Sequence, residues 1–103
     1  MKTREVKVRV DFISLTELKT VCNQVVQNYT DTESFYSAEP QTRMLYYVVK
    51  NVFDKCLKKL VKMNQKGYVE DVLKLDYVEA EALLISELPI PQEIEDQFRL
   101  LLI

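Results

Sequence analysis

The chain opens on strict alternation. Val6, Val8, Val10 and Phe12 fall on one side of an extended backbone, and Lys7, Arg9 and Asp11 on the other. A period of two marks a strand with one face buried, here over residues 4–12. The period then changes: Leu15, Leu18, Val21, Cys22, Val25, Val26 and Tyr29 recur at helical spacing. Ser14 and Glu17 have the spacing of a capping box, and Ile13 is placed to staple onto Leu18. These signals predict a helix over residues 14–29.

Residues 30–39 are mostly polar and read as a connection, with a short helical turn at Phe35 and Tyr36. Pro40 suits the first position of the next helix. In that helix, expected over residues 40–65, the apolar residues come as adjacent pairs from Leu45/Tyr46 to Leu60/Val61. Paired apolar positions make a wide stripe that packs on two sides. Gly67 is the natural residue for a left-handed stop. A second strand is expected over residues 69–76, with Leu73 and Leu75 on one face. Asp76 and Glu79 then form a capping box before Ala80, Leu83, Leu84 and Leu88. Pro89 and Pro91 close that helix at residue 88. Pro91 starts a last helix carrying Ile94, Phe98, Leu101 and Leu102, with a terminal strand over residues 97–103 as the alternative.

The expected class is therefore α+β, in the order β-α-(turn)-α-β-α-α, helix-rich with a small sheet. The 103 residues suit a single domain. Two strands make a poor sheet alone. They need a helical cover, or a second copy that completes a four-stranded sheet across a dimer. Val10-Asp11-Phe12-Ile13 also resembles Leu75-Asp76-Tyr77-Val78, 65 residues later, and Leu18 then matches Leu83. In this alignment Ser14 falls opposite Glu79, so the two expected capping boxes do not coincide.

Composition narrows the chemistry. There is no histidine and one glycine, so histidine catalysis, histidine metal ligation and glycine-rich phosphate loops are excluded. Cys22 and Cys56 fall in apolar stripes and read as small hydrophobes, not as a disulfide or a zinc site. No cofactor, metal or catalytic residue is expected. The N-terminus lacks the apolar core of a signal peptide, and the apolar runs are too short to span a bilayer. The chain reads as cytoplasmic.

Charge is uneven. Residues 1–66 hold 12 Lys/Arg and 7 Asp/Glu, whereas residues 67–103 hold 2 and 9. Lys55, Lys59, Lys62 and Lys66 share one helix face, with Lys58 beside them. Such a stripe is either a solvated face, a track for phosphates, or a surface for acidic protein, this chain's own last third included. The absence of arginine from the stripe and the acidic pI of about 5.2 weigh against nucleic acid. Leu100, Leu101, Leu102 and Ile103 are too continuous to cover one helix face and form a candidate interface. Phe35 and Tyr36, an aromatic pair in a polar connection, are a second. Among the carboxylates at Asp76, Glu79 and Glu81, capping explains Asp76 and Glu79 without any chemistry, and Glu81 points away from that side. The reading expected from sequence is a non-enzymatic interaction or assembly module that self-associates as a homodimer. The alternatives are a nucleic-acid accessory protein using the lysine face, or a small structural component of a larger bacterial or viral assembly.

Overall fold

The computed structural model describes residues 5–28, 39–86 and 88–102. Within them the chain runs as β1 (Glu5–Asp11), α1 (Phe12–Asn28), α2 (Pro40–Lys66), β2 (Glu70–Asp76), α3 (Tyr77–Ile85) and α4 (Gln92–Leu101). This is the α+β order read from the sequence, helix-rich with a small two-stranded sheet. The turn expected at Phe35 and Tyr36 lies outside the described residues.

β1 and β2 pair antiparallel, with Val6 opposite Leu75, Val8 opposite Leu73 and Val10 opposite Asp71. Alternation puts Val6, Val8, Val10, Leu73 and Leu75 on one face, where all five are buried. Lys7, Arg9 and Lys74 stand exposed on the other. The helices supply the cover that two strands need. Leu15, Leu18 and Cys22 of α1 and Val49, Val52 and Cys56 of α2 join the strands in one apolar cluster, with Leu83 of α3 and Phe98 of α4.

The first helix begins earlier than expected. Ser14 is not its cap: the Ser14 N–H donates to Asp11 Oδ1 at 2.6 Å, and the Asp11 N–H donates to Ser14 Oγ at 3.1 Å. The reciprocal box is Asp11/Ser14, three residues before the expected Ser14/Glu17. A carboxylate is a stronger acceptor for helix N–H groups than a hydroxyl, and Glu17 is left exposed. The Ser14 bonds hold the Asp11 carboxyl below its ordinary value of 3.8. The third helix begins as expected, with a reciprocal box between Asp76 and Glu79 in which the Asp76 N–H donates to Glu79 Oε1 at 2.8 Å.

The corrected cap removes the mismatch in the internal repeat. An offset of 65 residues carries Glu5 onto Glu70, Asp11 onto Asp76 and Ser14 onto Glu79. It also carries Val8 onto Leu73, and these two lie directly opposite each other in the sheet. The two strands and the caps that follow them are thus related by a local pseudo-two-fold axis through the Val8–Leu73 pair, although the helices differ in length, 17 residues against 9. Each strand ends at an aspartate, each helix starts at the next residue, and the third residue onward returns to the aspartate N–H. Ser14 and Glu79 are the two polar residues buried among the described residues.

The symmetry stops at the strand edges. In β1 the outward N–H of Arg9 donates to Gln97 Oε1 at 2.7 Å, and the Arg9 C=O accepts from Gln97 Nε2 at 2.8 Å. The Gln97 side chain, carried on α4, thereby imitates a pairing strand at Arg9 and covers that position of the edge. On β2 the residue related to Arg9 is Lys74, and no described group occupies its outward N–H and C=O.

Helix α2 starts at Pro40 and ends on Gly67, whose φ of 68° is left-handed; the Tyr68 N–H donates to the Met63 C=O at 2.9 Å. Its wide stripe packs on α1 along one side and on β2 and α3 along the other, although Leu57 and Val61 stay exposed. Helix α3 stops at Ile85, short of the expected residue 88. Ser86 Oγ donates to the Leu83 C=O at 3.1 Å, and the coming Pro89 disfavours helical backbone at Leu88. The last segment is a helix, not a strand: Ile94 and Phe98 repeat at four residues and are both buried.

Cys22 and Cys56 are buried free thiols, and desolvation pushes both up, Cys22 to about 12. Thiolate is therefore scarce near neutrality. Both thiols should resist a thiol-reactive disulfide reagent at neutral pH and react only on unfolding, which stopped-flow labelling in rising urea would report. Replacing Gly67 by alanine meets no neighbour within 4 Å, so its cost is conformational. Gly67→Ala should destabilise by about 1 kcal/mol in urea denaturation.

Candidate functional site

The lysine face of α2 lies beside β2, and the acidic last third of the chain folds onto part of it. Lys55 Nζ pairs with Glu79, whose side chain is 6% exposed. Lys59 Nζ lies 3.4 Å from Asp71 Oδ2. Glu79 therefore does two jobs, taking the Asp76 N–H at the start of α3 and holding α2 through Lys55. Asp71 sits at the end of the inner sheet face, opposite Val10, and accepts from the Val72 N–H at 2.7 Å. That bond, with Lys59 and Lys62 nearby, holds its carboxyl below the ordinary value.

The four predicted lysines thus divide. Lys55 and Lys59 are tied to acidic groups of this chain. Lys62 and Lys66 are exposed, with Lys66 Nζ 6.0 Å from the Tyr68 ring centre. Lys55, Lys58, Lys59 and Lys62 line a groove of about 300 Å³, closed on its other side by Leu73 and Lys74 of β2. Sequence reasoning placed Lys58 beside the stripe but missed Lys74, which comes from the other side of the pairing.

The C-terminal run also divides. Leu100 and Leu101 are exposed, at 76% and 42%. Leu102 packs on the core, and its C=O accepts from Tyr77 Oη at 3.2 Å. Phe35, Tyr36 and Ile103 lie outside the described residues. Glu81 is exposed and apart from the Asp76/Glu79 cap.

A second surface was not anticipated. Met44, Leu45 and Val48 of α2 and Val78, Ala82 and Ile85 of α3 line an apolar groove of about 430 Å³, with Gln41 and Ser86 as its polar rim. Met44, Val78 and Ile85 are 69%, 60% and 72% exposed. The signal was present: Val78 and Ile85 are two helical turns apart on a helix whose core face is Ala80 and Leu83. Gln97 was missed too. A polar residue between Ile94 and Phe98, inside an apolar stripe, marks a side chain with a polar partner to reach.

No protein-family model, curated protein sequence or solved structure matches the chain. Among the described residues no helix is long and apolar enough to cross a membrane, and no group of three or more acidic or cysteine side chains is placed to hold a metal ion.

The Lys55–Glu79 pair should matter more than a surface ion pair, because Glu79 cannot reach water in place of the lysine. Lys55→Met should destabilise by about 2 kcal/mol, read by urea denaturation. Lys66→Met, at an exposed position with no acidic partner among the described residues, should stay within about 0.5 kcal/mol of the parent.

Proposed function

We propose that the protein is a non-enzymatic interaction module that self-associates through the apolar groove between α2 and α3. The observation that carries this reading is the exposure of Met44, Val78 and Ile85 around one continuous apolar depression. Exposed apolar surface gathered in one place marks a contact site, whereas scattered apolar residues do not. Among the described residues no charged side chain lines the groove. A second copy therefore brings no like-charge repulsion to it, and a two-fold contact would set Met44 and Ile85 of one protomer against the same groove of its partner. Two buried free thiols support a reducing, cytoplasmic setting.

This reading moves the self-association surface away from the places first expected. The edge of β1 is bridged at Arg9 by Gln97, and Leu102 is committed to the core. Phosphate tracking by the lysine face is weaker support for a function, since Lys55 and Lys59 already have acidic partners.

Sedimentation equilibrium should find a dimer at micromolar concentration. Met44→Lys or Ile85→Lys, both at exposed positions, should weaken dimerisation at least about tenfold without loss of helicity, while Leu100→Lys should leave it unchanged. A parent protein that remains strictly monomeric would overturn the reading. Dissociation by Leu100→Lys alone would relocate the contact to the C-terminal helix.

A further inference from the structure

We propose that the open edge of β2 at Lys74 receives an acidic, extended segment of a protein partner as a third strand. The inference uses a different surface from the self-association groove, so either can stand without the other.

The geometry starts from the strand register. Arg9 points its N–H and C=O away from β2, towards Gln97. In an antiparallel pair, residues facing outward on one strand stand opposite residues facing outward on the other. Arg9 is opposite Val72 and Lys7 is opposite Lys74, so Val72 and Lys74 present their backbone groups to the free edge. Two neighbouring donors on that edge are already taken. The Val72 N–H goes to Asp71 Oδ1, and the Asp76 N–H goes to Glu79 Oε1. Between them, the Lys74 N–H and C=O have no described partner.

The pseudo-two-fold axis makes this more than an ordinary exposed edge. Lys74 is the residue related to Arg9, and at Arg9 the same two groups are closed by one donor and one acceptor from Gln97. Lys74 is thus the one of the two related edge positions that lacks its closing amide. An incoming strand offers that same pair from its backbone.

Charge selects the occupant. The groove beside the edge is lined by Lys55, Lys58, Lys59 and Lys62 with Leu73 and Lys74; Lys55 and Lys59 are held by Glu79 and Asp71, which leaves Lys58, Lys62 and Lys74 to meet a partner. On the outer face Lys74 also stands opposite Lys7. A second copy pairing β2 with β2 would bring two such lysine sets together, which repulsion opposes. A segment whose alternate, groove-facing positions are acidic meets the exposed Lys58 and Lys62 instead, and lies beside Lys74. Nucleic acid would satisfy the lysines through its phosphates, which only accept and so leave the Lys74 C=O without a donor.

The test uses the full chain and a fluorescent seven-residue peptide alternating glutamate and valine, followed by anisotropy at low salt. Binding should be saturable, absent for the lysine–valine counterpart, and unchanged by Met44→Lys. N-methylation of the amides along one peptide edge should weaken binding about tenfold, the worth of one or two backbone hydrogen bonds, while methylation along the other edge should not. Lys58→Glu with Lys62→Glu, both exposed, should abolish it. No saturable binding would overturn the proposal, as would equal binding of both methylated peptides, which would mean charge attraction without strand pairing. Displacement of the peptide by oligothymidylate, combined with indifference to methylation, would assign the lysines to phosphates and overturn it too.

Discussion

The pairing of Val8 with Leu73 at the centre of the sheet is the contact on which the other elements depend. It sets the register, and a register shift of one residue would turn every buried strand side chain to water. With this register, Asp11 and Asp76 fall at opposite corners of the sheet. Each then starts a helix without a loop, because its reciprocal cap bends the chain at once. The two helices return over the same sheet face, where α2 fills the space that remains between α1 and β2. The fold is therefore two similar strand–helix units closed by a long helix and finished by α4.

The departures from that symmetry are where the protein differs from a simple pair of repeats. Ser14 only caps its helix, whereas Glu79 in the related place also holds Lys55 and so fastens α3 to α2. Arg9 has its edge groups bridged by Gln97, whereas Lys74 does not. Phe12 is 46% exposed, whereas Tyr77 is half-buried and reaches the C-terminal backbone through its hydroxyl. One half is thus sealed by α4, and the other faces a lysine-lined groove. The charge imbalance along the chain has its meaning here. The acidic last third neutralises Lys55 and Lys59 from within, and the rest of the basic face stays outward.

Much of this was legible in the residue pattern. Alternation at Val6, Val8 and Val10 located β1, and Gly67 and Pro40 bounded α2. Asp76 and Glu79 named the start of α3, because a cap is a local arrangement of neighbouring residues. The Asp11/Ser14 box was misread for the same local reason. Ser14/Glu17 has the textual signature of a cap, but the strand ends at Asp11 and a carboxylate was already in place. The C-terminal run was read as one unit, although burial separates exposed Leu100 and Leu101 from core-packed Leu102.

The sequence by itself determined the elements, their order, the buried strand face and the absence of histidine-based chemistry, because these depend on near neighbours and on composition. Tertiary structure alone decided which surfaces remain. Gln97 meets Arg9 from 88 positions away, and Glu79 meets Lys55 from 24. The apolar groove joins faces of α2 and α3 that no periodicity relates. Such contacts arise from how elements are set side by side, and a one-dimensional pattern records only the period of each element, not its neighbour.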